Sequence, residues 1–143
     1  MILKLDGDDF SCGRSAFFDK DPSQPDADAK VFVKVRFGEL PTQLALLDTG
    51  STWSVIGTEI ADAAGFGKGG VPSKMSTRFG PIEGHLEKGL VTLVADEGES
   101  LEVEGTFFVT SAMPNRLFIG YGQLLQSLRF ALDSPNNQFY FGR

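Results

Sequence analysis

Along residues 31–37 apolar and polar side chains alternate, with Val31, Val33, Val35 and Phe37 on one side and Phe32, Lys34 and Arg36 on the other. That period of two predicts a half-buried strand. A turn over residues 38–42 leads to a second apolar stretch, Gln43-Leu44-Ala45-Leu46-Leu47, which runs directly into Asp48-Thr49-Gly50, and a short strand over residues 53–56 follows. Thr58 is placed to cap a helix of about two turns over residues 59–64, ended by Gly65. Residues 73–95 read as a long hairpin that rises over 75–79, turns at Gly80-Pro81 and descends over 82–94. After a tight turn at 96–99, Leu101, Val103, Gly105, Phe107 and Val109 share one strand face. Beyond a loop at 110–115 comes the apolar strand Leu117-Phe118-Ile119, closed by Gly120. A short helix over 123–128 and two strands, 130–132 and 138–141, around a turn at 133–137 complete the pattern. Eight or more short strands with two short helices predict an all-β, closed or folded-over architecture.

The N-terminal part is patterned differently. Residues 1–5 read as a strand and Asp6-Gly7-Asp8-Asp9 as a turn; the turn hints at a calcium loop but lacks the terminal glutamate such a loop needs. Residues 19–30, DKDPSQPDADAK, are polar, acidic and proline-containing, and read as an exposed loop. The expected organisation is therefore an N-terminal strand and acidic loop over 1–29 and a folded domain over 30–143.

Composition narrows the classes. The chain has 143 residues, 41% of them hydrophobic, which suits one domain with a real core. Thirteen phenylalanines against one tryptophan and two tyrosines predict a Phe-rich interior. A net charge of −6 without a Lys/Arg cluster argues against nucleic acid as a partner. No apolar run is long enough to span a membrane. Aspartates follow the first residues where a secretory signal would be apolar, so a cytoplasmic location is expected. Cys12 is the only cysteine and His85 the only histidine, which leaves no disulfide within the chain, no cysteine-based zinc site and no two-histidine metal site. No metal or cofactor is expected. The loop Gly65-Phe66-Gly67-Lys68-Gly69-Gly70 lacks the Ser/Thr and glycine spacing of a phosphate loop.

The chemistry concentrates at Asp48. An acid that ends an apolar strand must be paired, hydrogen-bonded or used, because burial disfavours its charged form. Thr49 adds a hydroxyl, and Gly50 allows another backbone or a ligand to come close. The same three residue types also make ordinary turns, so the tripeptide needs its surroundings to carry meaning.

Those surroundings resemble a known family. The segment Ala45-Leu46-Leu47-Asp48-Thr49-Gly50-Ser51-Thr52-Trp53-Ser54-Val55-Ile56 is similar to the active-site segment of aspartic peptidases, especially the single-domain retropepsin-like group. Leu117-Phe118-Ile119-Gly120 and the stretch around Leu124-Leu125 look like that family's apolar-apolar-Gly motif and short helix. Residues 130–141 look like its closing hairpin, and the likeness covers about 30–142 in the right order. Two departures stand out. Where many members carry Arg then Asp or Asn after the motif glycine, this chain has Tyr121 and Gly122, and the aspartate that would pair with that arginine is replaced by Thr52.

The resemblance implies an acid-protease barrel, one lobe per chain, with Asp48 as the catalytic carboxylate of an aspartic endopeptidase that needs no cofactor. Asp-Thr-Gly occurs once; Asp133-Ser134-Pro135, its nearest echo, has proline in place of the glycine. The second carboxylate is therefore expected from a second copy of the chain, in a two-fold homodimer acting on an extended peptide or unfolded protein. By the same resemblance Thr49 bonds across the two-fold, the Gly50 carbonyl holds substrate, and the Ser51 hydroxyl reaches the outer oxygen of Asp48. The hairpin tip Phe79-Gly80-Pro81-Ile82 would close over the substrate as a flap. The alternative is a module of the same fold that dimerises or binds peptide without turnover; a self-processing domain of a longer precursor is a third reading.

Overall fold

The computed structural model describes residues 3–19, 30–67, 69–78 and 80–143. Strand β1 (Lys4–Leu5) pairs with β2 (Asp8–Asp9) in a small hairpin, and β3 (Gly13–Ala16) follows. The main body runs β4 (Phe32–Arg36), β5 (Gln43–Asp48), β6 (Ser54–Gly57), helix α1 (Thr58–Ala63), β7 (Val71–Thr77), β8 (Gly80–Leu93), β9 (Glu97–Gly98), β10 (Leu101–Thr110) and β11 (Leu117–Gly120). A 3-10 turn (Leu125–Ser127), β12 (Arg129–Asp133), a second 3-10 turn (Ser134–Asn136) and β13 (Gln138–Gly142) close the chain.

Six strands form a ring in the order β4-β5-β11-β6-β10-β8, closed because β8 pairs with both β10 and β4. The fourteen-residue β8 makes this closure: its C-terminal part lies in the barrel, while its N-terminal part projects as a hairpin with β7. The β5/β11 and β6/β10 pairs are parallel, and the other pairings in the ring are antiparallel. A second sheet, β12-β13-β3-β9, packs against the barrel. This is the all-β, folded-over barrel that the patterning predicts.

The predicted alternation explains the core. Val33, Val35 and Phe37 are buried, and so are Leu101, Val103, Phe107 and Val109 of β10. Phe37, Phe66 and Phe107 meet edge to face, with ring centroids 5.1–6.0 Å apart. Each fully buried phenylalanine contributes roughly 1.5–3 kcal/mol of transfer free energy. Phe139 and Phe141 bring the second sheet into the same core.

Several sequence expectations shift. Residues 11–18 are not an appendage: β3 is an inner strand of the second sheet, paired with β13 and β9, and Phe18 and Phe32 exchange backbone hydrogen bonds of 2.8 and 2.9 Å. Most of the acidic stretch at 19–30 lies outside the described residues. The helix is capped by Gly57 rather than Thr58, with no side-chain cap bond, and spans Thr58–Ala63. The expected helix over 123–128 is only the 3-10 turn Leu125–Ser127, because Gln123 takes a left-handed φ of 56° that a continuing helix cannot accommodate. The hairpin tip also moves. Gly80 and Pro81 pair with Thr77 and Ser76 inside the ladder, so the connection is residues 78–79, two positions earlier than predicted.

Charged side chains join the two layers. The Asp96 carboxylate accepts from Lys34 of β4, from the Ala16 amide at 2.7 Å and from the Ser15 hydroxyl at 3.5 Å. Burial pushes the Asp96 carboxyl up, but the hydrogen bonds from Lys34, Ala16 and Ser15 outweigh it and hold the group below its ordinary value. A depressed folded value means stability that is present above the unfolded value of about 3.9 and is lost as pH falls through the folded one. Thermal scans between pH 6 and 2 should show Asp96→Asn less stable than the parent by about 1 kcal/mol or less at pH 6, with the two curves converging as pH falls through the depressed folded value. A gap of unchanged size at pH 2 would remove Asp96 from the acid response.

Candidate active site

Asp48 is the last residue of β5 and lies opposite Gly120 in the parallel ladder with β11. On the far side of β11 runs β6, antiparallel to it. Chain that leaves β5 at Asp48 must therefore cross the C-terminal end of β11 before it can enter β6. Residues 49–53 make that crossing.

The crossing is held by backbone. The amides of Tyr121 and Gly122 both donate to the Ser51 carbonyl, at 3.0 and 3.4 Å, and the Ser51 amide donates to the Asp48 carbonyl at 3.3 Å. The two chains come so close that a β-carbon on Gly120 would sit 2.3 Å from the Trp53 carbonyl oxygen, and one on Gly122 would sit 2.0 Å from that of Thr52. Neither separation is sterically allowed, so both positions require glycine. This accounts for the apolar-apolar-Gly pattern, and for a second glycine at 122 where the resemblance leads one to expect Asp or Asn. Behind Tyr121, the Thr106 hydroxyl donates to the Gln123 side-chain carbonyl at 2.6 Å and anchors the left-handed turn.

The Asp48 side chain is half-buried and one of its oxygens, Oδ1, accepts the Gly50 amide at 3.1 Å. Thr49 and Gly50 are exposed. A β-carbon on Gly50 would meet only Asp48 Oδ1, at 3.5 Å, so the outer side of the loop is open. In a single chain the carboxylate is thus held from below by its own loop and presented to whatever covers the face above. The Ser51 hydroxyl does not donate to Asp48 as the resemblance implies. It donates to the Trp53 carbonyl at 2.5 Å and so tightens the crossing itself.

Asp133 is not brought into this arrangement. It ends β12 in the second sheet, where its Oδ2 accepts the Asn136 side-chain amide at 2.9 Å. Of the predicted hairpin tip, Phe79 lies outside the described residues, Gly80 and Ile82 are partly covered, and Pro81 is exposed. Gly80 has a φ of 109°, which L side chains rarely adopt, and its carbonyl accepts the Thr77 hydroxyl at 2.7 Å. No group of three His, Cys, Asp or Glu able to hold a metal occurs among the described residues. Nor is any helix among them long and apolar enough to cross a membrane.

Sequence reasoning missed Ser54. It is fully buried, and its hydroxyl accepts the Gly120 amide at 2.9 Å, which satisfies a backbone donor that the close crossing leaves without a strand partner. Its signal was a serine within the apolar run Trp53-Ser54-Val55-Ile56. Ser54→Ala would strand that amide in the interior at a cost of about 1–3 kcal/mol. Ser51→Ala, at a partly exposed hydroxyl, should cost less. Urea denaturation of the two variants checks the order; a Ser54→Ala variant as stable as the parent would show that another group or water serves the amide.

No family model matches the chain, and no curated protein matches it. Among solved structures it is similar to a retropepsin-like aspartic protease from Rickettsia conorii, with a TM-score of 0.54 and 13% identity, over 89% of this chain and 97% of that one. At such identity the likeness establishes the fold: the chain has the all-β, retropepsin-like fold.

Proposed function

We propose that the chain is one half of an aspartic endopeptidase, in which Asp48 and Asp48 of a second copy form the catalytic dyad at a two-fold axis. The observation that carries this reading is the seating of Asp48: a half-buried carboxylate at a strand end, fixed by its own loop, on a face whose outer residues Thr49 and Gly50 are uncovered. The retropepsin-like fold supports it. One such loop per chain makes the site incomplete until a second loop faces it, and a two-fold homodimer supplies the identical group with the fewest new contacts.

Two carboxylates a few ångströms apart cannot both ionise at ordinary pH, so the dyad shares one proton. The ionised oxygen takes a proton from a water held between them, and that water attacks the carbonyl carbon of the scissile peptide. The protonated carboxyl donates to the carbonyl oxygen, and the resulting tetrahedral species breaks its C–N bond as the nitrogen gains a proton. In this reading Thr49 joins the two loops across the axis and the Gly50 carbonyl accepts from the substrate backbone. The β7–β8 hairpin, with Gly80, Pro81 and Ile82 beside its tip, lies over an extended peptide and adds strand-like hydrogen bonds.

Cleavage of denatured casein at acidic and neutral pH, with and without a statine-type inhibitor, tests the proposal. The parent should cleave and the inhibitor should stop it. Asp48→Asn should lower turnover to about 1% of the parent or less while its circular dichroism and melting stay close to the parent's. Activity per chain should also fall as the protein is diluted through the dissociation range of its dimer. Full specific activity in a strictly monomeric protein would sink the two-chain site. A folded dimer that cleaves nothing would favour the silent peptide-binding module.

A further inference from the structure

The β7–β8 hairpin leaves the barrel at one point. Residues 87–93 of β8 pair with β10 and residues 80–84 pair with β7. His85 and Leu86 pair with both, opposite Val109 and Phe108 on one side and Pro72 and Val71 on the other. The strand passes from barrel wall to hairpin at these two residues. On the β10 side the junction is fixed by the Thr110 hydroxyl, which donates to the Glu83 carbonyl at 2.8 Å.

The other side is fixed by the loop that feeds β7. That loop follows α1 over residues 64–70, of which Lys68 lies outside the described residues. Its Phe66 ring is packed 5.1 Å from Phe107. Beyond Phe66, two alternate residues of β8, His85 and Glu87, meet the loop. The His85 ring nitrogen Nε2 lies 3.3 Å from the Gly67 carbonyl oxygen. A carbonyl has no hydrogen to give, so Nε2 donates. A β-carbon on Gly70 would sit 2.7 Å from Glu87 Oε1, so this carboxylate oxygen lies directly against the loop. Oε1 is also 3.8 Å from His85 Nε2, and the two side chains are only 23% and 17% exposed.

This pair is sensitive to charge. Protonation of the second ring nitrogen, Nδ1, turns a neutral contact with Glu87 into an ion pair and keeps the bond to Gly67. Histidine is the side chain that ordinarily changes charge between pH 5 and 8. The other charged group on this face of β8 is Glu83, which is exposed and pairs with Lys74 of β7 at 3.9 Å. Opposite His85, β10 presents Val109 and β7 presents Pro72, neither of them charged.

We propose that His85 is a positioning residue for the β7–β8 hairpin: it ties the loop that feeds β7 to the root of the hairpin, and through Glu87 it holds that loop more firmly when protonated. An interaction made by the charged imidazole is present at acidic pH and lost as pH rises through the titration of histidine. The root is therefore tighter in acid and looser at neutral pH. The effect on catalysis rests on the reading of the hairpin as the cover over substrate; the clamp itself is observable without substrate.

Amide hydrogen exchange of the protein without substrate tests the clamp, with each rate corrected for the intrinsic rate at that pH. Protection over residues 71–77 and 80–86 should be roughly threefold higher at pH 5 than at pH 8, while β4 and β5 stay unchanged as internal controls. His85→Gln keeps a donor for Gly67 but carries no charge, and Glu87→Gln removes the partner of the imidazolium. In each variant protection should become equal at the two pH values. A merely structural histidine would instead lower protection by the same factor at both. Equal protection in the parent at pH 5 and 8, or a pH dependence that survives in both variants, would overturn the proposal and leave the Asp48 reading standing. With a peptide substrate at pH 5, His85→Gln should raise KM about threefold and leave kcat within about twofold; a loss confined to kcat would overturn the positioning role. Exchange that behaves as expected in a protein that cleaves nothing would support the clamp and count against the peptidase reading alone.

Discussion

The structure hinges on one steric constraint: two chain segments pass within a peptide's thickness of each other where the Asp48 loop crosses the end of β11. With β5 and β6 on opposite sides of β11, no other path joins them. The crossing leaves no room for a side chain at 120 or 122, and it removes backbone groups from any ladder, so Ser51, Ser54 and Tyr121 must satisfy them locally. Barrel closure follows, because β6 can then run beside β10, and β10 beside β8. So does the position of Asp48, at the end of the half-buried strand β5.

The same constraint explains why the loop is a suitable seat for a reacting group. A side chain on an ordinary surface turn is free to move. Here the Ser51 carbonyl accepts two amides, the Ser51 hydroxyl closes on Trp53, and the Gly50 amide holds one carboxylate oxygen. The loop is fixed from beneath by backbone rather than by long side chains, so little of its geometry depends on the rotamers that a substrate or a second chain would disturb. Tyr121 and Thr52, which stand where the resemblance leads one to expect an Arg and Asp pair, fit this picture. Neither is charged, so no buried ion is stranded, and the crossing is held by main-chain bonds.

What the sequence made legible divides along physical lines. Strands β4 and β10 were readable because Val33, Val35, Leu101 and Val103 put apolar residues at a period of two into the core, and β5 because it is a continuous apolar run. The place of Asp48 at a strand end was readable because an acid closes that run. Strand β3 was not, although its burial alternates just as cleanly, because its inward positions are Ser11, Gly13 and Ser15 with Phe17 beyond. The reason for such small residues is visible only in three dimensions: a β-carbon on Gly13 would sit 2.8 Å from the Phe141 ring. The hairpin tip was misplaced because Gly80-Pro81 is a strong local turn signal, whereas the ladder continues through both residues and uses the glycine's positive φ to do so. The helix expected over 123–128 was suggested by Leu124 and Leu125, which are indeed buried, but the backbone bends at Gln123 and only the 3-10 turn Leu125–Ser127 remains.

Closure of the barrel also decides where anything else can attach. A strand edge offers a row of unused amides and carbonyls, and proteins cover, shorten or use such edges. Closing six strands into a ring leaves, among the described residues, two edges of appreciable length, β7 and β12, and neither belongs to the ring. One lies on the projecting hairpin, continuous through β8 with the barrel wall; the other lies at the end of the turn that braces the Asp48 loop. In the proposed reading an extended peptide would bind by adding a strand, and because the ring itself has no edge, only strands outside it can offer the backbone groups for that.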